Sequence, residues 1–186
     1  MTNRVRYGLK NVHYALATED PVTGVYTYGT VQPFPGAVSL TLDTRGGQSD
    51  FYADDRTYYT TTVNNGYDGT YEVAEIPLDF RTAVLGETLG ADNVLTENSN
   101  TRPSKIALMF EFNGDVRATR YALYNVTITR PGASGTTATD TVDPQTSSLT
   151  FVAAPRPDGV VRRQTTGTTD SAIYDAWYTT VFEPTP

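Results

Sequence analysis

Gly36-Ala37-Val38-Ser39-Leu40-Thr41-Leu42-Asp43-Thr44-Arg45-Gly46-Gly47-Gln48-Ser49-Asp50-Phe51-Tyr52-Ala53-Asp54 is the stretch that decides the fold class. Val38, Leu40 and Leu42 alternate with Ala37, Ser39, Thr41 and Asp43, the period-two pattern of a half-buried strand. The adjacent glycines Gly46 and Gly47 predict a turn over residues 44–49, after which residues 51–54 return along the first strand. A hairpin alone is marginal in water, so its apolar side must meet another sheet, in the same subunit or in a neighbour.

Working outward, residues 25–31 read as a strand that Pro33-Phe34-Pro35-Gly36 stops, and residues 58–63 and 70–74 are rich in Thr, Tyr and Val. Asn64-Asn65-Gly66 between the last two predicts a second hairpin turn. A short helix is expected from Pro77, with Asp79 in its first turn, Phe80, Ala83 and Val84 on one face, and Gly86 at its end. Residues 86–103 form a polar loop long enough for an inter-subunit role. Ile106, Leu108, Phe110 and Phe112 alternate as a strand, Asn113-Gly114-Asp115 turns, and residues 118–129 return. There the apolar parity shifts between Tyr121-Leu123 and Tyr124-Val126-Ile128, which implies a bulge or a strand buried on both sides. Residues 132–143 are poor in apolar side chains and predicted to be mobile in the free subunit, while 147–153 make a last core strand with Leu149, Phe151 and Ala153 inward. The expected fold is mainly β: two packed antiparallel β-sheets, sandwich- or barrel-like, with one short flanking helix. It forms a single domain over 1–186, with an N-terminal arm over about 1–15 and a C-terminal arm over about 156–186.

The chain has 186 residues, a net charge of -7, no cysteine and one histidine. Disulfides and thiolate metal sites are therefore excluded, and His13 alone cannot build a histidine metal cluster or relay. No nucleophile elbow or phosphate-binding glycine loop is present, and Asp54-Asp55, read as neighbours on a strand, point to opposite faces rather than working as a pair. No enzyme activity, cofactor or metal is expected. Acidity also argues against a dedicated nucleic-acid reader. The N-terminus lacks the apolar core of a signal peptide and no run reaches the length of a membrane span, so a product made in the cytoplasm and not inserted in a membrane is expected.

The charge is unevenly placed. Residues 1–18 carry Arg4, Arg6 and Lys10 and no acid, whereas residues 43–87 are dominated by acids that include Asp43 and Asp50. A basic arm and an acidic body can attract each other between subunits. Tyr174, Trp177 and Phe182 near the C-terminus are an aromatic anchor for docking on the chain's own body or on a neighbour. Arg4, Arg6, Asp43, Arg45, Asp50, Tyr174, Trp177 and Phe182 are thus the candidate inter-subunit contacts, and residues 174–186 are expected to be dispensable for folding but needed for polymerisation.

Several strings in order resemble the major tail protein, or tail-tube subunit, of long-tailed phages with non-contractile tails. They include Gly8-Leu9-Lys10-Asn11-Val12-His13-Tyr14-Ala15, Pro35-Gly36-Ala37-Val38-Ser39-Leu40, Phe51-Tyr52-Ala53-Asp54 and Asn64-Asn65-Gly66-Tyr67. Phe110-Glu111-Phe112-Asn113-Gly114-Asp115, Leu123-Tyr124-Asn125 and Tyr174-Asp175-Ala176-Trp177-Tyr178 continue the series. The resemblance implies a structural virion protein whose copies close into rings, hexameric in that family, and stack into a hollow tail tube assembled in the host cytoplasm. It implies a tape-measure protein in the lumen during assembly, distal-tail and tail-terminator proteins at the ends, and DNA passing through without specific binding. A net negative wall would repel that DNA within a screening length of about 8 Å. The alternatives are a subunit of a non-phage injection tube, such as the type VI secretion tube, and a monomeric β-sandwich carbohydrate-binding or adhesion module.

Overall fold

The structure is a computed structural model that describes residues 3–137 and 144–184. Its frame is a path of six antiparallel strands in the order β1 (Arg6–Glu19), β8 (Ile106–Gly114), β9 (Thr119–Ile128), β10 (Ser147–Ala153), β5 (Arg56–Val73) and β4 (Ala37–Ala53). The sheet curls until its two ends, β1 and β4, come into contact. The segment between them closes the seam: β3 (Gln32–Pro33) pairs with β1, the Phe34 N–H donates to Val12 O at 2.8 Å, and Ala37 pairs with Val73. The two expected layers are therefore the two halves of one continuous antiparallel sheet. The strand expected over 25–31 is reduced to β2 (Tyr26–Tyr28), paired with the end of β1.

Inside the curl, Val12, Tyr14, Tyr71, Val73, Ile106, Leu108, Phe110, Leu123, Leu149 and Phe151 share one core. The helix α1 (Leu78–Ala83) plugs its end, with Phe80 fully buried against Tyr14 and Phe34 at ring distances of 4.9 and 4.4 Å. Pro77 stands at its N-cap rather than inside the first turn, and Ala83 faces solvent, so the buried positions are Phe80, Val84 and Leu85. On β4 the inward residues are Ala37, Leu40 and Leu42; a bulge at Val38 shifts the parity and leaves that side chain 52% exposed. The loop over 86–103 holds a small hairpin of β6 (Thr88–Leu89) and β7 (Leu95–Thr96) and is fastened by Arg130, which reaches Glu97 at 2.7 Å and the carbonyls of Asn98 and Thr101. The stretch 132–143 read as mobile lies partly outside the described residues.

Residues 6–15, read as part of an N-terminal arm, are instead a strand of the sheet. β1 pairs with β8 from Arg6 to Leu16, and Gly8 and Asn11 each sit at a bulge with φ of 63° and 52°. The second bulge sets Val12 and Tyr14 toward the core while Ala15 faces the other way.

β8 and β9 are buried on both faces, because the C-terminal part folds back over the outer side of the sheet. Both readings of the parity shift in β9 hold, since a bulge separates Leu123 from Val126 as well. The covering segment comprises β11 (Arg162–Gln164), which pairs with β9, α2 (Ser171–Asp175) and a 3₁₀ turn at Ala176–Tyr178. Trp177, 2% exposed, packs with Ala15, Ala107, Met109, Ala122 and Tyr124 and stacks on Phe182. Of the two readings of Tyr174, Trp177 and Phe182, docking on the chain's own body or on a neighbour, the structure takes the first, so that removing this anchor uncovers the outer side of the central strands.

Polar clamps hold this cover in place. Glu111, 2% exposed on β8, accepts from Asn11 at 2.7 Å, Arg120 at 2.9 Å and the Tyr178 hydroxyl at 3.2 Å. Arg156 is buried over the Tyr124 ring and bridges Asp158 and Glu183, while Arg163 holds Glu183 from the other side at 3.1 Å. Ion pairs of this kind, with lone pairs and protons satisfied by several partners, are strongly destabilising to break from one side only.

Trp177→Ala should destabilise the subunit by about 3–5 kcal/mol in denaturant unfolding, because neighbours that relax only partly leave a cavity. Burial pushes the Tyr28 phenol up to about 12 and raises those of Tyr71, Tyr124 and Tyr178 as well. The unfolded chain ionises its tyrosines near 10 and so releases protons that the fold retains. Stability should hold below that pH and fall steadily as pH climbs from about 10 toward 12. Thermal melts beside a tyrosinate absorbance titration check this.

Candidate assembly surface

β4 and β5 are much longer than the sheet that supports them. β10 covers the outer edge of β5 only from Tyr67 to Val73, yet β4 and β5 stay paired to Ala53 and Arg56. Beyond Thr44 and Tyr67 the two strands leave the body as a ribbon whose both outer edges lack backbone partners among the described residues.

Two predicted turns prove to be one bulge. Gly46-Gly47 and Asn64-Asn65-Gly66 face each other where Thr44 pairs with Tyr67 but Gly46 pairs with Asn64, so β5 holds one extra residue. Glycine is needed on both strands. A Cβ at Gly46 would run into the Val63 carbonyl, and one at Gly66, where φ is 98°, into that of Ala153. The actual turn lies at Asp54-Asp55, both in left-handed backbone with φ of 54° and 56°, the geometry of a two-residue hairpin turn that matches strand twist. These two carboxylates are thus turn residues and not strand neighbours.

The ribbon is amphipathic without a core. Phe51 pairs with Tyr59, and Gly47 with Val63, on one face; Gln48 pairs with Thr62 and Asp50 with Thr60 on the other. Tyr58 is the extra residue of a further bulge beside Phe51 and Tyr52. Phe51, Tyr52, Tyr58, Tyr59 and Val63 are each more than half exposed. Burying such a side chain is worth about 1.5–3 kcal/mol, so a free ribbon leaves several kcal/mol unrealised.

The remaining candidate residues divide between two places. Asp43 lies on β4 directly opposite Asp68, a like-charge cross-strand pair, with Arg45 at 4.0 Å from Asp68. Asp50 accepts from Thr60 at 2.8 Å and Gln48 at 3.1 Å, in that order the causes that hold its carboxyl below the usual range. Arg4 and Arg6 lie elsewhere, beside the turn between β8 and β9. The Arg4 N–H donates to Asp115, and Arg6 donates to the Tyr121 hydroxyl and rests over Phe112. Among the described residues no ion pair joins the two groups. The sequence places Tyr58, Tyr59 and Val63 in a strand without singling them out as surface residues, and marks Val5 and Tyr7 in no way. For the first three the signal is the run Thr57-Tyr58-Tyr59-Thr60-Thr61-Thr62-Val63, strong β-formers without the apolar alternation of a core strand.

His13 stacks on Tyr178 at 4.5 Å with Nδ1 2.9 Å from Asn11 O. Among the described residues no three His, Asp or Glu side chains gather as a metal site, and no helix is long and apolar enough to cross a membrane.

Phe51→Ser with Tyr59→Ser should change subunit stability by no more than about 0.5 kcal/mol in denaturant unfolding, as for other exposed positions, while weakening any self-association seen by sedimentation. The chain matches no protein-family model and no curated protein.

Proposed function

We propose that the chain is a self-assembling structural subunit, a tail-tube protein of a long-tailed phage, whose copies close into rings and stack into a conduit for DNA. The observation that carries this reading is the ribbon beyond Thr44 and Tyr67, with two unpaired edges and an exposed aromatic face. An isolated hairpin of this kind is marginal in water, and free edges template pairing with another chain. A second copy supplies what both lack. Ring closure then satisfies heterologous contacts, and stacking is the open-ended step.

Charge supports the same reading. The outward face of β4 and β5 carries Ser39, Thr41, Asp43, Asp68, Thr70 and Glu72, with Glu72 holding Ser39 and Thr146. Facing acids are unfavourable within one subunit and useful on a wall along which a polyanion must slide. On this reading a tape-measure protein fills the lumen during assembly, end proteins cap the tube, and the product belongs to the virion.

The exposed aromatics Phe51, Tyr52, Tyr58 and Tyr59 also suit a carbohydrate-binding module, which uses such rings as stacking platforms. Negative-stain electron microscopy of the purified chain at rising concentration separates the two. Rings or tubes are expected; a monomer at every concentration that binds an oligosaccharide would favour the module.

A further inference from the structure

We propose that the acidic, aromatic ribbon of one copy docks on a basic, apolar patch of a second copy at the same end of the body, and that this contact joins neighbours side by side. The inference rests on the assembly reading above and deepens it by naming the receiving surface and the direction of the contact.

The patch is formed where the start of β1 meets the turn between β8 and β9. Val5, Tyr7 and Val116 are 59%, 58% and 52% exposed there, beside Arg4, Arg6 and Arg117. Among the described residues none of these three arginines has a carboxylate ion pair, a condition that Arg56, Arg102 and Arg162 share but that is found as a group of three only here. Arg117 is held against the Tyr174 ring and donates to Thr169 O. The nearby acid, Asp115, is occupied by the Arg4 N–H. Asn3 fixes the N-terminal strand in this position through Arg117 and Val116, so the patch is preorganised.

The ribbon offers the complement. Residues 46–63 hold Asp50, Asp54 and Asp55 against one base, Arg56, and present Phe51, Tyr59 and Val63 on one face. Asp54 and Asp55 have no ion pair among the described residues. The ribbon thus carries an aromatic face with the two aspartates of its tip at one end, and the patch carries apolar side chains that alternate with arginines, so the two offer each other apolar area and opposite charge.

Strand registers fix the direction. Following the sheet from Val126 toward Thr119 on β9 leads, across β8, to Phe112 and on to Arg6 on β1. The same direction, across β10 from Phe151 to Ala153, leads on β5 from Gly69 to Tyr67 and out along the ribbon. Ribbon and patch therefore leave the body at one end. A direct contact between copies stacked head to tail would need one at each end, so this pair serves neighbours at the same level, and stacking falls to other surfaces.

The chain has no cysteine, which makes engineered cross-links unambiguous. In assembled material, Tyr59→Cys combined with Val5→Cys should oxidise to a covalent ladder that continues past the dimer. A ladder that stops at the dimer, or no cross-link in material that still forms tubes, overturns the inference and leaves the assembly reading standing. Absence of any assembly by the unaltered chain overturns both. As a second measure, D54R with D55R, and separately R4E with R6E, should each raise the concentration needed for assembly by about tenfold or more. Mixing the two variants should restore it, because each ribbon then meets an opposite charge. Circular dichroism confirms that both remain folded, and variants that assemble normally alone, or fail when mixed, count against the contact.

Discussion

A sheet leaves a row of N–H and C=O groups along each outer strand, and water satisfies them only at the risk of inviting another chain. Most of this fold can be understood as ways of closing those rows. The curl brings β1 toward β4, and the seam between them is bridged by Gln32, Pro33, Phe34 and Ala37. β9 shares its second edge between β10 and β11. Among the described residues the ribbon of β4 and β5 keeps both rows open, as the two-residue strands β6 and β7 do on a smaller scale, and it does so with glycines at its root where a Cβ would strike a backbone carbonyl. A feature that demands such backbone geometry is a designed projection, in the sense that bulges re-aim strands and are not defects.

The opposite solution governs the apolar faces. β8 is apolar on both sides, with Ile106, Leu108 and Phe110 toward one core and Ala107 and Met109 toward another. Ala107 and Met109 on the second side are small or flexible, and Trp177 packs in one cluster with them. Glu111 continues that side as a charge, and its satisfaction by Asn11, Arg120 and Tyr178 ties three strands and the cover together. The cover is thus part of the subunit's own core, whereas the exposed aromatic side chains Phe51, Tyr52, Tyr58 and Tyr59 lie on the ribbon.

Much of this was legible from residue order. The alternation of Leu40 with Leu42, of Leu149 with Phe151, and of Ile106 with Leu108 and Phe110 marks core strands because period-two burial is a local property. The parity shift at Tyr124 likewise announced a bulge. Gly46-Gly47 and Asn65-Gly66 misled because a glycine that tolerates unusual backbone serves a bulge as well as a turn, and only the partner strand distinguishes them. Asp54-Asp55 was missed as a turn since aspartate is a second choice at left-handed positions. Of the candidate contacts, Arg4, Arg6, Asp43, Arg45 and Asp50 lie on the surface while Tyr174 and Trp177 are buried. Aromatic residues near a chain end state that something will be covered, but not whose surface it is.

The pairing of β1 with β8 carries a cost in time. Asn3 and Arg4 find their partners at Arg117 and Asp115, more than a hundred positions later in the chain. During synthesis the first strand therefore leaves the ribosome with Val12 and Tyr14 exposed and waits for most of the sheet to be made. Folds of such high contact order close slowly, and for this one the nascent chain is most prone to go astray before β8 arrives.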